Sequence, residues 1–144
     1  MNVSRTALTP YTPREMYALV ADVLSYPQFL PWCRSSSLSE ENDHQVRATI
    51  ELAYGTLHRS FSTRNRMEPD RRIEIRLVDG PFERMEGAWR FDPLGDQGCK
   101  VSLALEYDFS NWLLTTLIGP VFNPIANSMV DAFSARAVAI YGKR

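Results

Sequence analysis

Two histidines, two cysteines and a large excess of arginine are the side chains on which any chemistry of this 144-residue chain would have to rest. His44 falls among turn formers, and His58 alternates with apolar neighbours, which puts it on the wet side of a strand. Neither stands at a spacing from Ser, Cys or an acid that suggests a nucleophile–base pair. A Gly-x-Ser-x-Gly elbow is absent, as is any Gly-rich phosphate loop. His and Cys do not recur at metal-ligand spacing. Cys33 and Cys99 sit in apolar company and are too few for a disulfide framework, so both read as small buried hydrophobes. The expectation is a protein with no catalytic set, no metal and no required cofactor.

The cations are more informative. Fourteen arginines stand against two lysines, Lys100 and Lys143. Arginine grips phosphate or carboxylate with a planar fork, although a GC-rich genome would enrich it equally well. Arg59 lies in phase with Leu57 and Phe61, and Arg136 lies in phase with Met129 and Phe133. An unpaired guanidinium in a core costs about several kcal/mol. Each therefore either snorkels outward or anchors a headgroup at the polar end of an apolar cavity. Arg64, Arg66, Arg76, Arg84 and Arg90 alternate onto the opposite face, where they would form a phosphate-binding patch. Glu74, Glu86 and Glu106 share that face and offer cross-strand partners. A net charge of −1 and a pI near 6.1 argue neither for nor against nucleic acid.

The elements that would hold these residues are legible from period. Val3 to Leu8 reads as a strand. Thr12, Pro13 and Glu15 form a capping-box start, and Met16, Leu19, Val20 and Val23 continue at helical spacing through residues 13–23. From Cys33 the period becomes two. Arg34 to Glu41 is a weak strand, and residues 40–43 are a turn. Val46, Ala48, Ile50, Leu52 and Tyr54 then alternate with polar residues, as do Leu57, Phe61 and Met67. The pattern recurs at Ile73, Ile75 and Leu77, at Met85, Trp89 and Phe91, and from Val101 to Phe109. Such long alternation implies an antiparallel meander with one dry face, curved and strongly twisted.

The last third is helical. Asn111 caps a run to Ile118, Gly119-Pro120 is expected to break or kink it, and Asn123-Pro124 opens a final helix. Ile125, Met129, Ala132, Phe133 and Ile140 would line its inner side. A sheet with one dry face must wrap around that helix. Small residues at Ala126, Ser128 and Ala132 leave room between the two, which makes a pocket. With no repeat or linker, residues 1–144 read as one domain. The apolar run from Trp112 to Phe122 falls short of the ~20 residues needed to span a bilayer, and the first residues lack a signal core, so the cytoplasm is the expected location.

The stretch Tyr26-Pro-Gln-Phe-Leu-Pro-Trp-Cys33 is unusual, being an apolar bend stiffened by Pro27 and Pro31. It is either a packing corner or a hydrophobic lip over the pocket. The run Val20-Ala-Asp-Val-Leu-Ser-Tyr-Pro-Gln-Phe-Leu-Pro-Trp-Cys33 closely resembles the signature of the coenzyme Q-binding, START-like family. Bacterial members of that family include a ribosome-association toxin branch, and some are labelled polyketide cyclase/dehydrase. The resemblance continues through Gly80-Pro-Phe82, Glu86-Gly-Ala-Trp-Arg-Phe91, Gly119-Pro-Val-Phe122, Met129-Val-Asp-Ala-Phe133 and Arg136-Ala137, and so covers nearly the whole chain.

The resemblance implies an α+β helix-grip fold, with about seven antiparallel strands curled around a long C-terminal helix. It also implies a tunnel for a polyisoprenoid quinone such as ubiquinone, bound without catalysis in support of respiration. The tail would lie along Ile50, Phe61, Leu77, Trp89, Leu103, Phe122, Met129 and Phe133. Tyr26, Phe29, Leu30 and Trp32 would form the entrance, and Arg59 and Arg136 are the candidate headgroup anchors. The toxin branch implies a second partner, the large ribosomal subunit, met through the exposed arginines and blocking subunit joining. A cyclase-type enzyme is the weaker alternative. A lipid ligand also implies peripheral contact with the inner membrane, and nothing in the sequence assigns an oligomeric state.

Overall fold

Thr12 follows the first strand and caps the first helix. Its hydroxyl accepts a hydrogen bond from the Glu15 amide, and the Glu15 carboxylate accepts one from the Thr12 amide, so the capping box is formed. The computed structural model describes residues 1–144. In chain order these form β1 (Asn2–Thr9), α1 (Pro13–Ala21), a 3-10 helix (Val23–Gln28) and β2 (Cys33–Asn42). There follow β3 (Gln45–Tyr54), β4 (Leu57–Glu68), β5 (Arg72–Asp79), β6 (Phe82–Leu94), β7 (Gly98–Phe109) and α2 (Trp112–Tyr141).

The seven strands make one antiparallel sheet in the order β1-β7-β6-β5-β4-β3-β2. Strands β2 to β7 are the expected meander. β1 pairs with β7, so the chain crosses from one sheet edge to the other through α1 and the 3-10 helix. With α2 held on the dry face, this is the helix-grip arrangement. The sheet bends hard at Gly87, which pairs with Leu105. A Cβ there would lie 2.1 Å from the Ala104 carbonyl oxygen, so no larger residue fits that close approach of β6 to β7.

Several boundaries differ from the sequence reading, each for a local reason. α1 stops at Ala21 because Asp22 leaves the helical region (φ −82°, ψ 67°), and Val23 opens the 3-10 helix instead. That helix spans Val23–Gln28 and contains Pro27, so the first part of the 26–33 bend is helical. The turn expected at residues 40–43 contracts to Asp43–His44, since Asn42 still pairs with Gln45 and its side chain accepts from the His44 amide. Tyr54, in phase with the dry face, lies past its rim and is 64% exposed.

The largest correction concerns α2, which runs unbroken for 30 residues with Pro120 and Pro124 inside it. Proline removes the donor to the carbonyl four residues back. Here the freed carbonyls belong to Thr116 and Pro120, and Thr116, Pro120 and Pro124 are all exposed. Water can therefore satisfy that stripe, and the helix persists. The inner stripe is Ile118, Phe122, Ala126, Val130, Phe133 and Ala137, all buried. Ile125, Met129 and Ala132 lie on its flank, half-buried, while Ile140 is exposed. Continuous α2 is long and apolar enough to cross a membrane by length and composition alone. In this fold its apolar stripe is spent against the sheet.

The C-terminus is tied back to α1. Both guanidinium nitrogens of Arg144 donate to the Glu15 carboxylate, at 2.6 and 2.8 Å. These bonds, with the Thr12 amide, hold the Glu15 carboxyl down at about 2 from an ordinary 4.5. A depressed acid contributes stability that is complete above its unfolded value and is lost as pH falls through the folded one. The contribution of this clamp should therefore fade between pH 4.5 and about 2. Urea unfolding across that range should show Arg144→Ala with a shallower acid loss than the parent chain, and equal slopes would contradict the clamp.

Candidate functional site

α2 packs on the curved sheet so that the core falls in two parts. One centres on Phe133, whose ring lies 5.3–5.4 Å from those of Tyr26, Phe29 and Trp89. The other centres on Phe122, which meets Phe82 at 5.0 Å and Tyr107 at 4.8 Å. Between them lies a cavity with about 840 Å³ of empty space, open solvent at its mouth included. Small side chains on three elements hold it open: Ala21 of α1, Ala48 of β3 and Ala126 of α2 all line it.

Of its 22 lining residues, 20 are hydrophobic and none carries a charge. Among the residues expected to contact a ligand, Tyr26, Trp32, Ile50, Phe61, Trp89, Leu103, Phe122 and Met129 are on this wall. Leu30 and Phe133 are instead buried in the packing behind it, and Leu77 packs against the Phe122 cluster. Phe29 stands outside the wall, with the Arg136 guanidinium 4.7 Å from its ring centroid.

Neither candidate anchor reaches the cavity. Arg136 donates to the Gln28 side chain at 3.0 Å and clamps α2 to the bend from outside. Arg59 is exposed, because its position opposite Leu52 is near the sheet rim, where a long side chain snorkels to water.

The polar groups actually present are two that the sequence reading passed over. Thr63 and Asn65 continue the inward phase of Phe61 and Met67 on β4, and both line the cavity. The signal was available: the period of two through Leu57–Met67 carries them inward. Only the apolar members of that set were read as dry-face residues.

The bend at residues 26–33 is a packing corner over most of its length. Tyr26, Leu30 and Cys33 are buried, and the Tyr26 hydroxyl donates to the Val20 carbonyl, fixing the bend on α1. Burial pushes the Tyr26 phenol well up, so the only ionisable side chain on the wall stays neutral. The Cys33 and Cys99 thiols are likewise pushed up by burial, to about 11. Trp32 differs from its neighbours. It is half-buried, packs against both core clusters and, with Ile125, lines both the cavity and an outer groove rimmed by Pro31, Tyr54, Pro120 and Pro124. These two side chains are the partition between the cavity and that groove.

On the outer face the five arginines are not equivalent. Arg64 is paired with Glu41, and Arg84 with Asp108 and Glu106. Arg66, Arg76 and Arg90 form no ion pair and are exposed. Register sets Arg47, Arg64 and Arg76 side by side across β3, β4 and β5, followed by Glu86 and Glu106 on β6 and β7. The patch is thus half a charged row, basic toward β3 and acidic toward β7.

Comparison with known proteins agrees with this geometry. Residues 9–134 match the family model described as polyketide cyclase/dehydrase and lipid transport. The chain belongs to this family. Among other members, the ribosome association toxin RatA of Pseudomonas aeruginosa is 43% identical over 98% of both chains. The coenzyme Q-binding protein COQ10 homolog B of Xenopus laevis, a mitochondrial protein, is 27% identical over 98% of this chain and 59% of its own. A START superfamily protein from Mycobacterium smegmatis superposes with a TM-score of 0.71 over 94% of this chain and 95% of its own, at 18% identity. The helix-grip fold is therefore shared with a protein of low sequence identity.

If Trp32 is a partition and Phe133 a core residue, truncating each has a different result. Phe133→Ala should lower stability by about 3–5 kcal/mol in urea unfolding. Trp32→Ala should cost less, and it should accelerate entry of Nile red in stopped-flow fluorescence. An unchanged entry rate would show that the route lies elsewhere.

Proposed function

We propose that this protein binds a neutral, extended apolar molecule of the polyisoprenoid quinone class, such as ubiquinone, in the cavity, and does so without transforming it. The observation that carries this reading is the wall itself, nearly all hydrophobic and without a charge. Apolar pockets with a few placed polar groups are what such ligands require. General acid–base turnover needs an ionisable group near its working pH. The only ionisable side chain here is a buried tyrosine committed to the Val20 carbonyl. Similarity to a protein named for coenzyme Q binding supports the ligand class. A quinone carrier of this kind would support respiration and would meet the inner membrane to load its cargo.

Native mass spectrometry of protein purified from a quinone-containing host, followed by solvent extraction, should give a quinone mass bound to the folded chain. Ligand-free protein from such a host would contradict the reading.

A second role, association with the large ribosomal subunit to block subunit joining, is favoured by the 43% identity to a ribosome association toxin. The exposed basic half-row is the surface on which it would rest. Binding to an RNA-rich particle through arginines weakens as salt rises. Arg66→Glu combined with Arg76→Glu should abolish co-sedimentation with large subunits while leaving the cavity ligand in place. Undiminished co-sedimentation would remove this surface from consideration.

A further inference from the structure

Thr63 and Asn65 are the two polar residues among 22 on the cavity wall, and each is more than nine-tenths buried, at 7% and 8% exposure. Polar side chains in an apolar interior are normally hydrogen-bonded to capacity, since an unmet donor is costly. This pair satisfies itself only in part. The Thr63 hydroxyl donates to Asn65 Oδ1 at 2.8 Å. That bond occupies the amide oxygen and fixes which end of the amide is free. The free end is the Nδ2 amino group, which makes no hydrogen bond within the chain and carries two N–H donors.

Strand register sets the neighbours of the pair. Thr63 lies opposite Ala48 of β3, and Asn65 lies between Val46 of β3 and Ile75 of β5, all of which line the cavity. Ala48, Val46 and Ile75 offer no polar side chain, so the free donors face an apolar chamber.

We propose that Asn65 Nδ2 is the recognition donor of the cavity, reading a carbonyl-type acceptor oxygen on an otherwise apolar neutral ligand, with Thr63 as the positioning residue that holds the amide in register. This rests on the cavity being a ligand site and adds the chemistry that site selects. The free capacity is that of a donor, and no cation lines the wall. A fatty-acid carboxylate would be buried without a countercharge, which is costly. A plain hydrocarbon would leave the donors unmet. A quinone or other ketone matches, because its oxygens accept and need nothing in return.

The test uses two probes of similar apolar bulk, decylubiquinone and decylbenzene, titrated into delipidated full-length protein by tryptophan fluorescence. The parent chain should prefer decylubiquinone. Asn65→Leu, similar in size, should weaken decylubiquinone about tenfold, the factor expected for about 1.4 kcal/mol, and leave decylbenzene equal or tighter. Asn65→Val removes the donors with a second, smaller apolar side chain suited to a strand, and should lose decylubiquinone as well. It also guards against a leucine variant that fails to fold. Thr63→Val should weaken decylubiquinone less, with Thr63→Ser restoring it, a rescue that mere packing would not give. Equal affinity of the parent and both Asn65 variants for decylubiquinone would overturn the assignment while leaving the cavity reading intact. Failure of the parent to bind either probe would overturn both.

Discussion

A single helix cannot fill the hollow of a curved sheet along its whole length, and most of this molecule follows from that mismatch. α2 makes dense aromatic contacts at two points, around Phe122 and around Phe133. Midway between them it presents Ala126 to the chamber. Close-packed interiors tolerate few voids, so such a gap persists only when its lining is rigid and its neighbours are well packed. Both conditions hold. The sheet side is fixed by a continuous antiparallel ladder, and the helix side is pinned by the edge-to-face rings on either flank. Filling the gap with a larger residue at position 126 would gain packing at the expense of the only space a ligand can use.

The second consequence concerns where backbone irregularity is allowed. The prolines of α2 fall four residues apart, so one stripe takes both defects. That stripe faces the outer groove and not the core. The same groove takes Pro31 from the bend and exposes Tyr54. The two helix-interior prolines and Pro31 are thus gathered on one side of the Trp32–Ile125 partition, while strands bound the other side. Entry and exit of a ligand need local movement, which comes more readily where helix hydrogen bonds are already missing than through the sheet.

How much of this was legible in the sequence depends on which force decided each feature. The strands were readable because alternation of apolar and polar residues is imposed by burial on one face, and the capping box because its chemistry is local. α2 was misread because proline in isolation argues for a break. Whether a freed carbonyl meets water depends on which face the sheet covers, and that is a tertiary fact. The anchors were misjudged in the same way. Arg59 and Arg136 have the inward phase, yet each stands where its long side chain can leave the core, one at a rim and one beside Gln28 and Phe29. Thr63 and Asn65 share that inward phase but are too short to escape it. Phase selects the face, and side-chain length then decides whether a polar group remains in the interior.

β4 carries residues of both proposed roles. Four consecutive residues alternate between its faces: Thr63 and Asn65 point to the cavity, and Arg64 and Arg66 to the outer surface. Side-chain period in a strand is two, so the inner set and the outer set are fixed by one register and cannot be shifted separately. That register is held on both sides, by β3 from Gln45 to Tyr54 and by β5 from Arg72 to Asp79. A ligand in the cavity can change side-chain contacts of Asn65 without moving Arg66, since the backbone between them is tied to both neighbours. The inner site and the outer row are therefore neighbours in sequence but separated by a rigid layer. Substitutions on one face of β4 leave the chemistry of the other in place, which is the condition for a single strand to carry ligand recognition and a polyanion-facing surface at once.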